Sequence, residues 1–166
     1  GVTTVGAQSY TGALTLNADT RLSTSNSPIS FSDSIDSYTS GDPRSLSVNA
    51  GTSTVRFGGS IGAVAALNNL EVTANGGIIG GAIGGNSPGS VTTVGSQSYA
   101  GAVTLNADTR FSSSNGPISF FGAIDSSGAT DPANLSVNAG TTARFGGSIG
   151  AVAALDNLEV TANGGM

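Results

Sequence analysis

The sequence predicts an all-β fold, a parallel β-helix (β-solenoid) of about seven coils of about 20–26 residues each. Three observations lead there. The chain contains a long tandem repeat, a shorter repeat is nested inside it, and strand-type alternation runs between corners rich in glycine and asparagine.

The long repeat is read directly. Val2-Thr3-Thr4-Val5-Gly6 returns as Val91-Thr92-Thr93-Val94-Gly95, and residues 16–21 return as 105–110, an offset of 89. One residue is lost after Gly51 and Gly140, so residues 56–62 match 144–150 at an offset of 88. A single domain over 1–166 is expected, made of two tandem repeats, 2–90 and 91–166.

The short repeat sets the architecture. Large residues recur at Tyr10, Phe31, Phe57, Ile79, Tyr99, Phe120 and Phe145. Each has an aliphatic residue four places on: Leu14, Ile35, Ile61, Ile83, Val103, Ile124 and Ile149. Midway stand Gly12, Asp33, Gly59, Gly81, Gly101, Gly122 and Gly147. The spacings of 21, 26, 22, 20, 21 and 25 make one long repeat four short units. A unit this short falls below a helical hairpin (~33 residues) or a propeller blade (~40), and suits one solenoid turn of three short strands.

Strand alternation is visible in Leu14-Thr15-Leu16, Ile29-Ser30-Phe31, Leu46-Ser47-Val48 and Leu70-Glu71-Val72, where apolar side chains face one way and polar ones the other. Corners follow at Asn17-Ala18-Asp19, Asn49-Ala50-Gly51 and Asn75-Gly76-Gly77, residues that tolerate a left-handed backbone. The alanine-rich stretch 62–67 reads as a corner or short turn.

One coil cannot bury its inward residues alone. Stacking at about 4.8 Å per coil buries them in a rod roughly 34 Å long. Phe57→Asp is therefore expected to unfold its neighbourhood by burying an unpaired charge. Neither end shows a polar cap, so end-to-end or lateral self-association, or stacking on neighbouring repeats of a longer chain, is expected.

Composition narrows the partners. The chain has no Cys, His, Trp or Lys, and only five Arg against ten acidic residues, for a net charge of −5. Phosphate neutralisation needs a basic surface, so nucleic acid is not an expected partner. No apolar run approaches the ~20 residues of a membrane helix, and membrane insertion is not expected. Disorder would need lower hydrophobicity or higher charge than 37% apolar and 9% charged residues supply.

The stretches 2–12 and 13–20, repeated in the second copy, resemble repeats of long bacterial surface proteins of the filamentous haemagglutinin-like kind. That resemblance covers essentially the whole chain. It implies a right-handed β-helix, an extracellular or bacterial cell-surface location, and an adhesive or scaffolding role with a host or matrix glycan or protein as ligand. It carries over no catalytic residue.

Chemistry reads as sparse. Without His, Cys or Lys, Ser-His-Asp and Cys-His nucleophiles, common zinc sites, a Lys Schiff base and the Walker phosphate loop are all excluded. The carboxylates Asp19, Asp33, Asp36, Asp42 and Glu71 could still serve a glycosidase, but they fall on different coils and nothing marks a pair. The chain is not expected to be an enzyme, and no catalytic, cofactor-binding or metal-binding residue is assigned.

Residues 58–63 resemble a nucleotide-binding glycine turn, yet they are one instance of the solenoid template. Asp42-Pro43 and Asp131-Pro132 suit turns better than calcium. Asp19 with Arg21, and Asp108 with Arg110, suggest surface ion pairs. Asn134-Leu135-Ser136 is a glycosylation sequon without a counterpart in the first copy. The insertion 37–44, matched by 126–133, is a candidate binding loop, although Tyr38 becomes Ser127 and Arg44 becomes Ala133. The expected role is a rigid stalk or self-associating fibre. The alternative is a carbohydrate-binding or polysaccharide-cleaving β-helix.

Overall fold

The computed structural model describes residues 1–80, 89–128 and 130–165. These residues form nineteen strands and no helix, all paired in parallel. The chain winds through seven coils. Coil 1 holds β1 (Val2–Thr4), β2 (Gln8–Tyr10) and β3 (Leu14–Leu16); coil 2 holds β4 (Thr20–Thr24), β5 (Ile29–Phe31) and β6 (Ile35–Ser37). Coil 3 holds β7 (Leu46–Asn49), β8 (Thr54–Phe57) and the bridging residue Ile61; coil 4 holds β9 (Leu70–Thr73), β10 (Gly77–Gly80) and β11 (Gly89–Thr93). Coil 5 holds β12 (Gln97–Ala100), β13 (Val103–Leu105) and β14 (Thr109–Ser113); coil 6 holds β15 (Ile118–Phe120), β16 (Ile124–Ser126) and β17 (Asn134–Ala139). Coil 7 holds β18 (Ala143–Phe145), the bridging residue Ile149 and β19 (Asn157–Ala162).

Three faces result. Face A is the seven-stranded sheet β1-β4-β7-β9-β12-β15-β18. Face B is β2-β5-β8-β10-β13-β16, extended by Ile149 over Ile124. Face C joins β3-β6 to β11-β14-β17-β19 through the bridges Ile35 to Ile61 and Ile61 to Val91. The expected β-solenoid of seven coils is the fold observed.

Alternation fills the core. Inward residues such as Leu46, Val48, Leu70 and Val72 on face A are buried, while Ser47 and Glu71 between them point out. The aliphatic template stacks as expected: Leu14 over Ile35 over Ile61, and Val103 over Ile124 over Ile149. Tyr10, Phe31 and Phe57 stack with ring centroids 5.1 and 5.2 Å apart; Tyr99, Phe120 and Phe145 stack at 5.0 and 5.6 Å. Such pairs contribute about 0.5–1.5 kcal/mol each beyond the area they bury.

Two sequence expectations are corrected. Ile79 is not inward: β10 pairs with β8 so that Gly80 sits over Phe57, and Ile79 lies beside the outward Arg56. Strand alternation then turns Ile78 and Gly80 inward and leaves Ile79 only partly buried. Its template partners Gly81 and Ile83 lie outside the described residues.

The second correction concerns phase. The long repeat is not four turns. From β1 to β11 the chain takes eleven face positions, three and two-thirds turns. The Val-Thr-Thr strand therefore lies on face A in copy one and on face C in copy two, and the Gln-Ser-Tyr strand moves from B to A. The aromatic stacks consequently occupy two different faces instead of one continuous interior column.

A buried polar network went unread in the sequence. Gln97, 1% exposed, donates from Nε2 to the Ser112 carbonyl at 2.8 Å, the Thr93 hydroxyl at 3.2 Å and the Val91 carbonyl at 3.3 Å. Its Oε1 accepts the Tyr99 hydroxyl at 2.9 Å. Gln8, Thr4, Ser23, Val2 and Tyr10 repeat this arrangement in coils 1 and 2. The signal was the Gln-Ser-Tyr tripeptide, whose alternation puts Gln and Tyr on the same side.

Burial pushes the Tyr99 phenol well above its usual 10.0. Below about pH 10 both folded and unfolded chains hold the proton, so stability is flat. Above it the unfolded chain releases the proton while the fold retains it, and stability falls by up to about 1.4 kcal/mol per pH unit for this group. Thermal melts between pH 8 and 11.5 should show this decline, and Tyr99→Phe should make it shallower. An equal alkaline slope in the variant would exclude Tyr99 as its source.

Candidate functional site

The polar residues that the sequence singled out fall into a corner ladder and an outward row. Asp19 precedes β4, Ser45 precedes β7 and Asn69 precedes β9, so the winding stacks them along one corner of face A. Asp19 Oδ1 accepts the Ser45 amide at 2.8 Å, and Asn69 Oδ1 accepts the Ser96 amide at 2.8 Å and its hydroxyl at 3.0 Å. In copy two Asp108 Oδ1 accepts both the amide (2.8 Å) and the side-chain Nδ2 (2.9 Å) of Asn134. These bonds, the main-chain one foremost, hold the Asp108 carboxyl below its ordinary range.

Asp36 does the same at another corner. Its Oδ1 accepts the amides of Val64 at 2.9 Å and Ala65 at 3.2 Å, and Asp125 repeats this with Val152 and Ala153 at 2.9 and 3.3 Å. Each of the four aspartates thus satisfies a corner amide that strand pairing leaves free. Asp33 caps the Ser34 amide at 2.7 Å.

The outward row on face A is Arg21, Ser47 and Glu71, in register on successive coils. Arg21 and Glu71 are two coils apart, about 10 Å between their backbones. Ser47 lies between them, and its hydroxyl donates to Glu71 Oε2 at 3.2 Å. With Asp19, Ser45 and Asn69 these residues line a shallow open groove of about 300 Å³. A cation, a hydroxyl and a carboxylate in line can hydrogen-bond a polar, extended ligand. Copy two carries the same row, Arg110, Ser136 and Glu159, on face C.

The expected Asp19–Arg21 pair is not the one formed. Among the described residues the ion pair is Arg44 with Asp42, inside the insertion 37–44. The insertion is closed at its base by Ser37, whose Oγ accepts the Arg44 amide at 2.9 Å; Ser126 does this for Ala133 at 2.8 Å. Closure through a buried serine and a main-chain amide explains why position 44 can be Arg in one copy and Ala in the other. Tyr38 lies in this insertion, 72% exposed and outside the groove lining.

The glycine turn 58–63 serves coil packing. A side chain at Gly59 would collide with the Asp33–Ser34 peptide of the coil beside it. The sequon Asn134 uses its amide on Asp108. Among the described residues no three acidic side chains gather as a metal site. No protein-family model, curated protein or solved structure matches the chain.

Proposed function

We propose that the chain is a structural and adhesive segment of a secreted or cell-surface bacterial protein, a stiff stalk or self-associating fibre without catalytic activity. The observation that carries this reading is the employment of Asp19, Asp36, Asp108 and Asp125 as main-chain acceptors that fasten successive coils. Acidic residues that a hydrolase would spend on substrate are here spent on the rod. Asp108 is also held low, the opposite of the raised carboxyl a general acid requires. The likeness of residues 2–20 to filamentous haemagglutinin-like repeats supports the surface location and the adhesive role.

A second reading, a carbohydrate-binding or carbohydrate-cleaving β-helix, is favoured by the Arg21–Ser47–Glu71 groove. Glycan arrays and depolymerisation assays on the intact chain separate the two. No cleavage is expected, and any glycan bound is expected to be lost in the double variant Arg21→Ala/Arg110→Ala. Polysaccharide cleavage abolished by Glu71→Gln/Glu159→Gln would overturn the structural reading.

A further inference from the structure

Face A carries a second outward row beside the Arg21–Ser47–Glu71 row, and the two rows end together at an aromatic ring. The first row runs on past Glu71 to Ser98 and Ser119, in register on coils 5 and 6. The second row is Ser23, Asn49, Thr73 and Ala100, two residues further along each strand. Phe121 continues it. Its amide donates to the Tyr99 carbonyl at 3.0 Å, so the ladder of β12 and β15 extends by one residue and sets Phe121 beside Ala100. Alternation turns Phe120 inward and Phe121 outward, on the side of Ser119 and about 6.6 Å from it along the strand.

Phe121 is 56% exposed although a coil flanks it on either side. Ala100 lies on one side. Gly146 lies on the other, where a Cβ would come within 3.2 Å of the Phe121 carbonyl oxygen. These small neighbours leave the ring uncovered on a largely polar surface. Phe121 takes no part in the aromatic stacks, which run through Phe120. The same place in copy one is Ser32, so each chain has this ring once. Beside the Arg110 row on face C stand Ser112, Asn138 and Thr161, with no ring.

Between coils 2 and 6 every strand of face A is paired on both sides, so no free edge remains for a peptide strand to join. A ligand there must be read by side chains. Arg21 donates and forms no ion pair among the described residues, and Glu71 accepts. The Ser98 and Ser119 hydroxyls have no hydrogen-bond partner among the described residues and can do both. Sugar hydroxyls also donate and accept, and the C–H face of a pyranose with equatorial hydroxyls lies flat on an aromatic ring. The rise of about 4.8 Å per coil is close to the length of one such sugar in an extended chain. A carboxylate in the row and a net charge of −5 favour a neutral sugar over an acidic one.

We infer that face A binds an unbranched, neutral, β-linked glycan lying along the rod axis, with one sugar on Phe121 and the others along Ser119, Ser98, Glu71 and Ser47 to Arg21. From Arg21 to Phe121 is four coil steps, about 19 Å, or about five sugars. This rests on the carbohydrate-binding reading and deepens it, because it fixes the class of glycan, its direction on the rod and a single site per chain.

The test is calorimetric titration of the intact chain with β-1,4-linked oligomers of glucose and of xylose, from dimer to hexamer. Affinity is expected to rise with length up to about the pentamer, with one molecule bound per chain. Phe121→Ala is expected to weaken binding at least tenfold and to leave the melting temperature unchanged, while Phe121→Trp keeps binding. Arg21→Ala is expected to weaken binding, and Arg110→Ala to leave it unchanged.

Two molecules bound per chain, or binding that Phe121→Ala leaves intact, would overturn the Phe121 site while the carbohydrate-binding reading stands. Failure of both oligomer series to bind at millimolar concentration overturns the site as well. The carbohydrate-binding reading falls with it only if a whole glycan array stays blank.

Discussion

Phe57→Asp should abolish cooperative folding of the central coils, whereas Ile79→Asp should change the melting temperature by only a few degrees. Phe57 is 3% exposed and stacks on Phe31 at 5.2 Å. A carboxylate there loses its hydration and gains no partner, and the stack loses a ring. The combined cost is on the order of 5 kcal/mol or more, comparable with the whole stability of an ordinary domain. Ile79 occupies the same place in the sequence template, but it stands beside Arg56 on the outside of face B. A carboxylate at 79 stays hydrated and gains the Arg56 cation on the adjacent strand. Circular dichroism melts of the two variants check this. Equal loss in both would mean that β10 is shifted by one residue from the register described.

Gly101→Ala carries the second large effect. Gly101 has φ 148°, a region that L residues rarely adopt, and its Cβ would overlap the Ala74 carbonyl of the coil below. Strain and overpacking together should cost about 2–5 kcal/mol. For a chain of this length that is a drop in melting temperature of roughly 5–15 °C. Gly12→Ala is the matched control, since a Cβ there meets nothing in the isolated chain. Calorimetry at low concentration should find Gly12→Ala within about 0.5 kcal/mol of the parent. An equally destabilised Gly12→Ala would show that glycine serves the corner's own backbone, and not the approach of a second coil.

Much of this fold could be read from one chain because a solenoid repeats its instructions. Six of the seven large template residues do point inward, and both aliphatic columns stack in register. Ile79 misled because β10 reads Gly-Ile-Ile-Gly, where either isoleucine satisfies an alternating pattern. Which one turns inward depends on pairing with β8, a contact between strands far apart in the sequence. The Asp19–Arg21 expectation failed for a similar reason. Spacing puts the two charges close, but the free amide of Ser45, brought by the next coil, competes for the same carboxylate oxygen. The candidate groove was hidden for the same cause, since Arg21, Ser47 and Glu71 lie 26 and 24 residues apart.

Local patterning alone determined the strands, the corners, the coil length and the poverty of reactive side chains, because alternation, glycine placement and composition act within a few residues. Only the tertiary structure decided the phase. Coil lengths vary and strand positions are counted in thirds of a turn, so an 89-residue repeat closes after eleven faces and not twelve. That remainder puts identical sequences on different sides of the rod. It arises from backbone pairing between coils, a long-range hydrogen-bond register that no short window of residues contains.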